Sequence, residues 1–172
     1  SGFSEWSPAG DAIAYMSYFA GTPGIYYVDL ASHKKVPIYL QGTLNLSPSF
    51  SPDGTTIVFA EDPQWAPTPL RRIFMVPANG GIVEPFLPGW GVFRPPASIG
   101  PVFSPDGRRV LLYGAPIDDP RRRDWWVAPT DGGEPWSSEV GDEVLVSFAH
   151  GSFSQPYVLG GLWNGQHALP PE

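Results

Sequence analysis

An aromatic residue, a Ser-Pro-x-Gly tetrapeptide and an apolar run recur in the same order at three places in this chain, and a recurring unit constrains a fold more tightly than any single element does. The stretch from Phe3 to Tyr15 aligns with Phe50 to Phe59 and with Phe103 to Leu112. The prolines Pro8, Pro52 and Pro105 fall 44 and 53 residues apart. Each copy continues into a second apolar run: Ile25 to Val28, Ile73 to Val76, and Trp125 to Val127. A Gly-containing turn follows, Ala78-Asn79-Gly80-Gly81 in the second copy and Thr130-Asp131-Gly132-Gly133 in the third.

The tetrapeptide explains itself. Ser51-Pro52-Asp53-Gly54 and Ser104-Pro105-Asp106-Gly107 place Ser first, Pro with its φ already fixed second, Asp third and Gly fourth, the preferences of a type I turn between two strands. Asp53 and Asp106 are expected to hydrogen-bond local backbone groups, so mutation costs stability before function. With 22 Pro and 20 Gly, no stretch between breakers reaches the ~12–15 residues that a stable helix wants. Composition is nevertheless 42% hydrophobic and 14% aromatic, which suits many short strands rather than disorder. The expected class is all-β, with four short strands per unit, the size of one propeller blade.

The Phe-Ser-Pro-Asp-Gly turn, the apolar triplet, the Ile-x-x-Val strand and the Gly-Gly turn resemble TolB-type propeller repeats, relatives of WD-type blades. The resemblance covers residues 1–136, divided at about 1–44, 45–97 and 98–136; the first copy is degenerate, with Ala9 in place of Asp. It implies a non-enzymatic scaffold or protein-interaction module, and a periplasmic or extracellular setting. Rings usually hold 4–8 blades, so three leave two blade faces wet. Three ways of covering the flanks are expected: the chain is a piece of a longer propeller, it self-associates, a dimer before a trimer, or the segment that follows fills part of the gap.

That segment, residues 137–172, differs in kind: it has acidic residues but no Lys or Arg. Glu143 to Phe148 and Pro156 to Trp163 read as a β-hairpin. The string from Glu139 to Phe148, then Gln155 to Gly165, closed by Pro170-Pro171, is similar to the last part of the OB-fold domain of VgrG-like and phage baseplate spike proteins. A complete OB barrel needs five strands, and the upstream ones are missing unless Trp125 to Pro129 serves twice. The expectation is a hairpin that adds its strands to an exposed edge; the alternative is a component of a phage-tail-like or type VI injection baseplate.

Charge and motifs exclude several functions. Ten Lys+Arg against 17 Asp+Glu give a net charge of −7, unlike a nucleic-acid binder. No run approaches 18 apolar residues, so no membrane insertion is expected. Zero cysteine removes disulfides and thiolate chemistry. No H-x-x-x-H, G-x-S-x-G, Walker or G-x-G-x-x-G motif occurs, so catalytic residues, metal and cofactors are all expected to be absent. His33, His150 and His167 read as surface histidines, and Glu61-Asp62-Pro63 and Asp118-Asp119-Pro120 as turn formers. The inserts between second and third strands carry Arg71, Arg72, Arg121, Arg122 and Arg123, which would gather basic groups on one rim for a protein or peptide partner. Trp65 and Trp90, in Pro/Gly-rich loops, join that candidate rim, with sugar binding as a further possibility, whereas Trp6, Trp125, Trp126 and Trp163 read as core or seam packing.

Overall fold

The computed structural model describes residues 4–19, 22–40, 45–61, 70–93, 100–137, 143–148 and 156–162. All regular elements among them are strands, so the class is all-β. The first unit is a four-stranded antiparallel sheet in chain order: β1 (Ser4–Trp6), β2 (Ala12–Phe19), β3 (Thr22–Asp29) and β4 (Lys35–Tyr39). The second contains β5 (Asn45–Phe50), β6 (Thr56–Glu61), β7 (Leu70–Pro77) and β8 (Glu84–Phe86). After β9 (Trp90–Phe93), the third contains β10 (Val102–Phe103), β11 (Arg109–Pro116), β12 (Asp124–Pro129) and β13 (Trp136–Ser137).

The Ser-Pro turns are built alike. Gly54 N donates to Ser51 O at 2.8 Å and Gly107 N to Ser104 O at 2.9 Å, and both glycines sit at positive φ, 72° and 71°, where a side chain would be strained. The Asp53 carboxylate accepts from the Ser51 hydroxyl at 2.5 Å and the Thr55 amide at 3.0 Å; Asp106 accepts from Ser104 and the Arg108 amide at the same distances. In the first unit Ala9 cannot do this. Asp11, two residues later, takes the Ser7 hydroxyl instead at 2.7 Å. A second bond repeats three times: Leu30 N to Asp11 O, Ala78 N to Thr55 O and Thr130 N to Arg108 O, at 2.9, 2.8 and 2.9 Å.

Successive units pack face to face. In β6 the side chains alternate between two cores: Ile57 and Phe59 join Ala14, Ile25, Phe50 and Val76 at the first seam, while Val58 and Ala60 join Ile73, Phe103, Leu112 and Trp126 at the second. The middle sheet is therefore buried on both faces, as a blade between neighbours must be. Glu5 crosses the first seam, its Oε2 accepting from Phe50 N at 3.2 Å.

Two features differ from the sequence expectations. The second and third units are not separate sheets, because β9 pairs with both β7 and β11 and joins them into one nine-stranded sheet. Glycines permit this close approach: a Cβ on Gly114 would strike the Gly91 carbonyl, and one on Gly91 would lie 2.8 Å from Leu70 Cβ. Further, β14 (Glu143–Phe148) and β15 (Pro156–Leu162) pair antiparallel as the expected hairpin but form a sheet of their own. Among the described residues they add no strand to a propeller edge.

Candidate interaction rim

The Ser-Pro and Gly-Gly turns lie at one end of the sheets; the connections between second and third strands lie at the other. The hairpins reach that rim at Phe19 opposite Thr22, Glu61 opposite Arg72, and Gly114 opposite Asp124. Strand β9 runs across it, with Trp90 opposite Pro116 and Ile117 N donating to Gly89 O at 2.8 Å.

The turn that follows β11 is held by Asp119. Arg122 N donates to Asp119 O at 3.1 Å, and Arg121 donates to the Asp119 carboxylate through both its amide and its Nε at 3.3 Å. That geometry aims the next two arginines at aromatic rings. The Arg122 guanidinium lies 5.2 Å from the Trp126 ring centroid and that of Arg123 lies 4.9 Å from the Phe93 ring. Trp90 meets Trp126 edge to face at 4.5 Å, and Phe93, Tyr113 and Trp125 form a second group of rings, with centroids 6.1 and 5.3 Å apart. The indole N–H of Trp126 is buried and finds no acceptor among the described residues.

The structure thus brings together Trp90, Arg122 and Arg123 of the expected rim, with Arg121 beside them. Arg71 stands in register with Val92 of β9, and Arg72 with Glu61. Glu61 is buried and hydrogen-bonds the Tyr39 phenol; burial first, then that carboxylate, raises the Tyr39 pKa above its ordinary value. Trp65, Asp62 and Pro63 lie outside the described residues, as do His150, His167 and Trp163. Trp90 is a half-buried strand residue rather than a loop residue, because it packs against Trp126. Trp6 corrects in the opposite direction, 61% exposed where seam packing was expected, since no described unit stands against its face. Phe93 and Tyr113 were missed; an Arg-rich turn running straight into Trp125-Trp126 was the available signal.

Chemically, the rim offers planar cations stacked on rings, an arrangement that suits carboxylate or peptide recognition. Asp119 is engaged with Arg121, and no group of three or more His, Cys, Asp or Glu that could hold a metal occurs among the described residues. His33 sits in the turn at the opposite end, at φ 56°.

Residues 119–163 match the family model of the type VI secretion system and phage-baseplate injector OB domain. That match begins upstream of the segment expected from the sequence, inside the third unit, and so takes in β12 and β13 as well as the hairpin. The Tol-Pal system protein TolB of Francisella tularensis subsp. mediasiatica is 44% identical over 56 residues, 33% of this chain and 13% of that protein. Among solved structures, TolB from Acinetobacter baumannii superposes with a TM-score of 0.63 at 20% identity, over 87% of this chain and 38% of that one. The β-propeller domain of the Trilobed protease from Pyrococcus furiosus gives 0.54 at 15%, over 84% and 45%. The chain spans only a minor part of each of these proteins. Its repeat units are TolB-like in sequence and fold, and an OB-domain signature follows and overlaps them.

Proposed function

We propose that this chain is a non-catalytic β-propeller scaffold and protein-interaction module, completed by self-association, that binds a protein or peptide partner through the rim built from Trp90, Arg121, Arg122 and Arg123. The observation that carries the reading is the pair of guanidiniums held over aromatic rings. Stacking keeps each cation in place before a partner arrives, which reduces the ordering cost of binding. No group of three or more His, Cys, Asp or Glu that could hold a metal accompanies them among the described residues. A panel of carboxylate-rich peptides, followed by fluorescence anisotropy, tests this: Arg122→Ala with Arg123→Ala should weaken binding at least tenfold while the thermal melt stays cooperative. Equal binding by the variant, or turnover in a broad esterase and peptidase screen, contradicts it.

A second reading has its own support. The OB-domain match over residues 119–163 favours a component of a contractile injection baseplate or spike. Spike assemblies of that kind predict a trimer that co-purifies with baseplate proteins.

A further inference from the structure

Among the described residues, the indole N–H of Trp126 is the one buried side-chain polar group that has no hydrogen-bond partner. Trp126 is 4% exposed, and a buried donor in that state is destabilising unless something supplies an acceptor. Its surroundings explain why none is found. The side chains that share its core cluster, among them Val58, Val92 and Leu112, are apolar. The two polar side chains against its ring are themselves donors. The Arg122 guanidinium, 5.2 Å from the ring centroid, has N–H groups and no acceptor, and the polar group of Trp90, edge to face at 4.5 Å, is another indole N–H. A corner that holds only donors is complementary to a ligand group that holds only acceptors.

The charges of the turn narrow the ligand further. Arg121 is engaged by the Asp119 carboxylate at 3.3 Å, and the Asp124 carboxylate accepts from the Trp125 amide at 2.8 Å. Arg122 is exposed and meets no carboxylate among the described residues. The corner therefore presents one uncompensated positive charge beside a neutral donor, on a molecule whose net charge is −7. A carboxylate, planar, singly charged and acceptor-only when ionised, matches that set; a phosphate dianion brings more charge than one guanidinium balances. Arg123 offers no such pair, because the Phe93 ring beneath it has no donor.

We propose that Trp90, Arg122 and Trp126 form a carboxylate-binding corner. The carboxylate of an acidic side chain or of a peptide C-terminus takes a fork of hydrogen bonds from Arg122 and a further one from the Trp126 indole, with the Trp90 ring as an apolar wall. The N–H is closed to solvent in the free protein, so the exposed Arg122 side chain, which lies over the ring, shifts as the ligand enters. This deepens the rim reading proposed above and rests on it: it assigns the bound anion to Arg122 rather than Arg123 and makes Trp126 a specificity-determining residue.

The chain has only 7 Trp, so the indole signals of a proton–nitrogen correlation spectrum can be followed one by one, with that of Trp126 assigned by its loss in Trp126→Phe. The probes are an N-acetylated, C-amidated glycine peptide carrying one Glu, the same peptide with Gln, a glycine peptide whose only acid is its free C-terminus, and inorganic phosphate. At least one carboxylate probe should move the Trp126 signal downfield and saturate, and which one does so identifies the source of the anion. The Gln peptide should leave the signal in place. Arg122→Ala and Trp126→Phe should each weaken binding at least tenfold, and Arg123→Ala by much less. Peptide binding that needs the arginines but leaves the Trp126 signal unmoved overturns the corner while the rim reading stands; no binding by any carboxylate probe overturns both. A stronger response to phosphate than to either carboxylate overturns the ligand class. If Trp126→Phe fails to fold, the signal is assigned through the backbone, and Arg122→Lys, which keeps the charge but not the fork, should show the same loss.

Discussion

Ser51 shows how one hydroxyl organises a whole turn. It donates to Asp53 and accepts from Thr56 N at 2.9 Å, and it is buried, so Ser51→Ala should cost about 1–2 kcal/mol in urea unfolding, with the fold retained. The Asp53 and Asp106 carboxylates are held below the ordinary range, chiefly by the Ser51 and Ser104 hydroxyls, and therefore stabilise the fold above that range and lose the effect as pH falls through it. Glu5 behaves in the reverse sense. Burial at the first seam, only partly offset by the Phe50 amide and the Ser49 hydroxyl, pushes its pKa up to about 7 from 4.5. Between those values the folded protein keeps a proton that the unfolded chain has released, so stability falls as pH rises from about 4.5 to 7 and is flat beyond. Glu5→Gln should remove a pH dependence on the order of 3 kcal/mol, visible as thermal melts that no longer shift downward across that window. The turn chemistry was legible because Ser-Pro-Asp-Gly needs no distant residue. The role of Asp11 could be read only once the register of β2 was known, and that of Glu5 only once β1 faced β5.

Strand β9 is the element that the sequence concealed. Trp90 to Phe93 looked like the loop between two units, since nothing local says that Gly91 and Gly114 will meet across a strand pair. Gly114→Ala should therefore force β9 away from β11 and cost about 1–3 kcal/mol, whereas Gly89→Ala, with open space around its Cβ, should stay within about 0.5 kcal/mol of the parent in the same denaturant series. The four-strand repeat, by contrast, followed from alternating apolar residues and fixed turns. The hairpin was also visible as two strand-like runs, but its pairing partner was not. Edge addition depends on which strand edges remain open in space, and the observed sheet of β14 and β15 alone reflects that. Of the rim, the arginines were legible from their place in the inserts, while the rings beneath Arg122 and Arg123 come from β12 and β9 and meet them only in the folded arc.

At the scale of the molecule, the same seam is made twice inside the chain, between the first and second units and between the second and third. Sequence alone placed the repeat and the shortage of units, because period and turn chemistry are local. Which side chains fill each seam required the register of every sheet. A mass measurement in solution bears most directly on the account. Sedimentation velocity across a dilution series should give a species of twice 18.7 kDa that Trp6→Glu converts to a monomer without loss of β-structure by circular dichroism. A parent chain that stays at 18.7 kDa at every concentration, with its melt unchanged by Trp6→Glu, would contradict it.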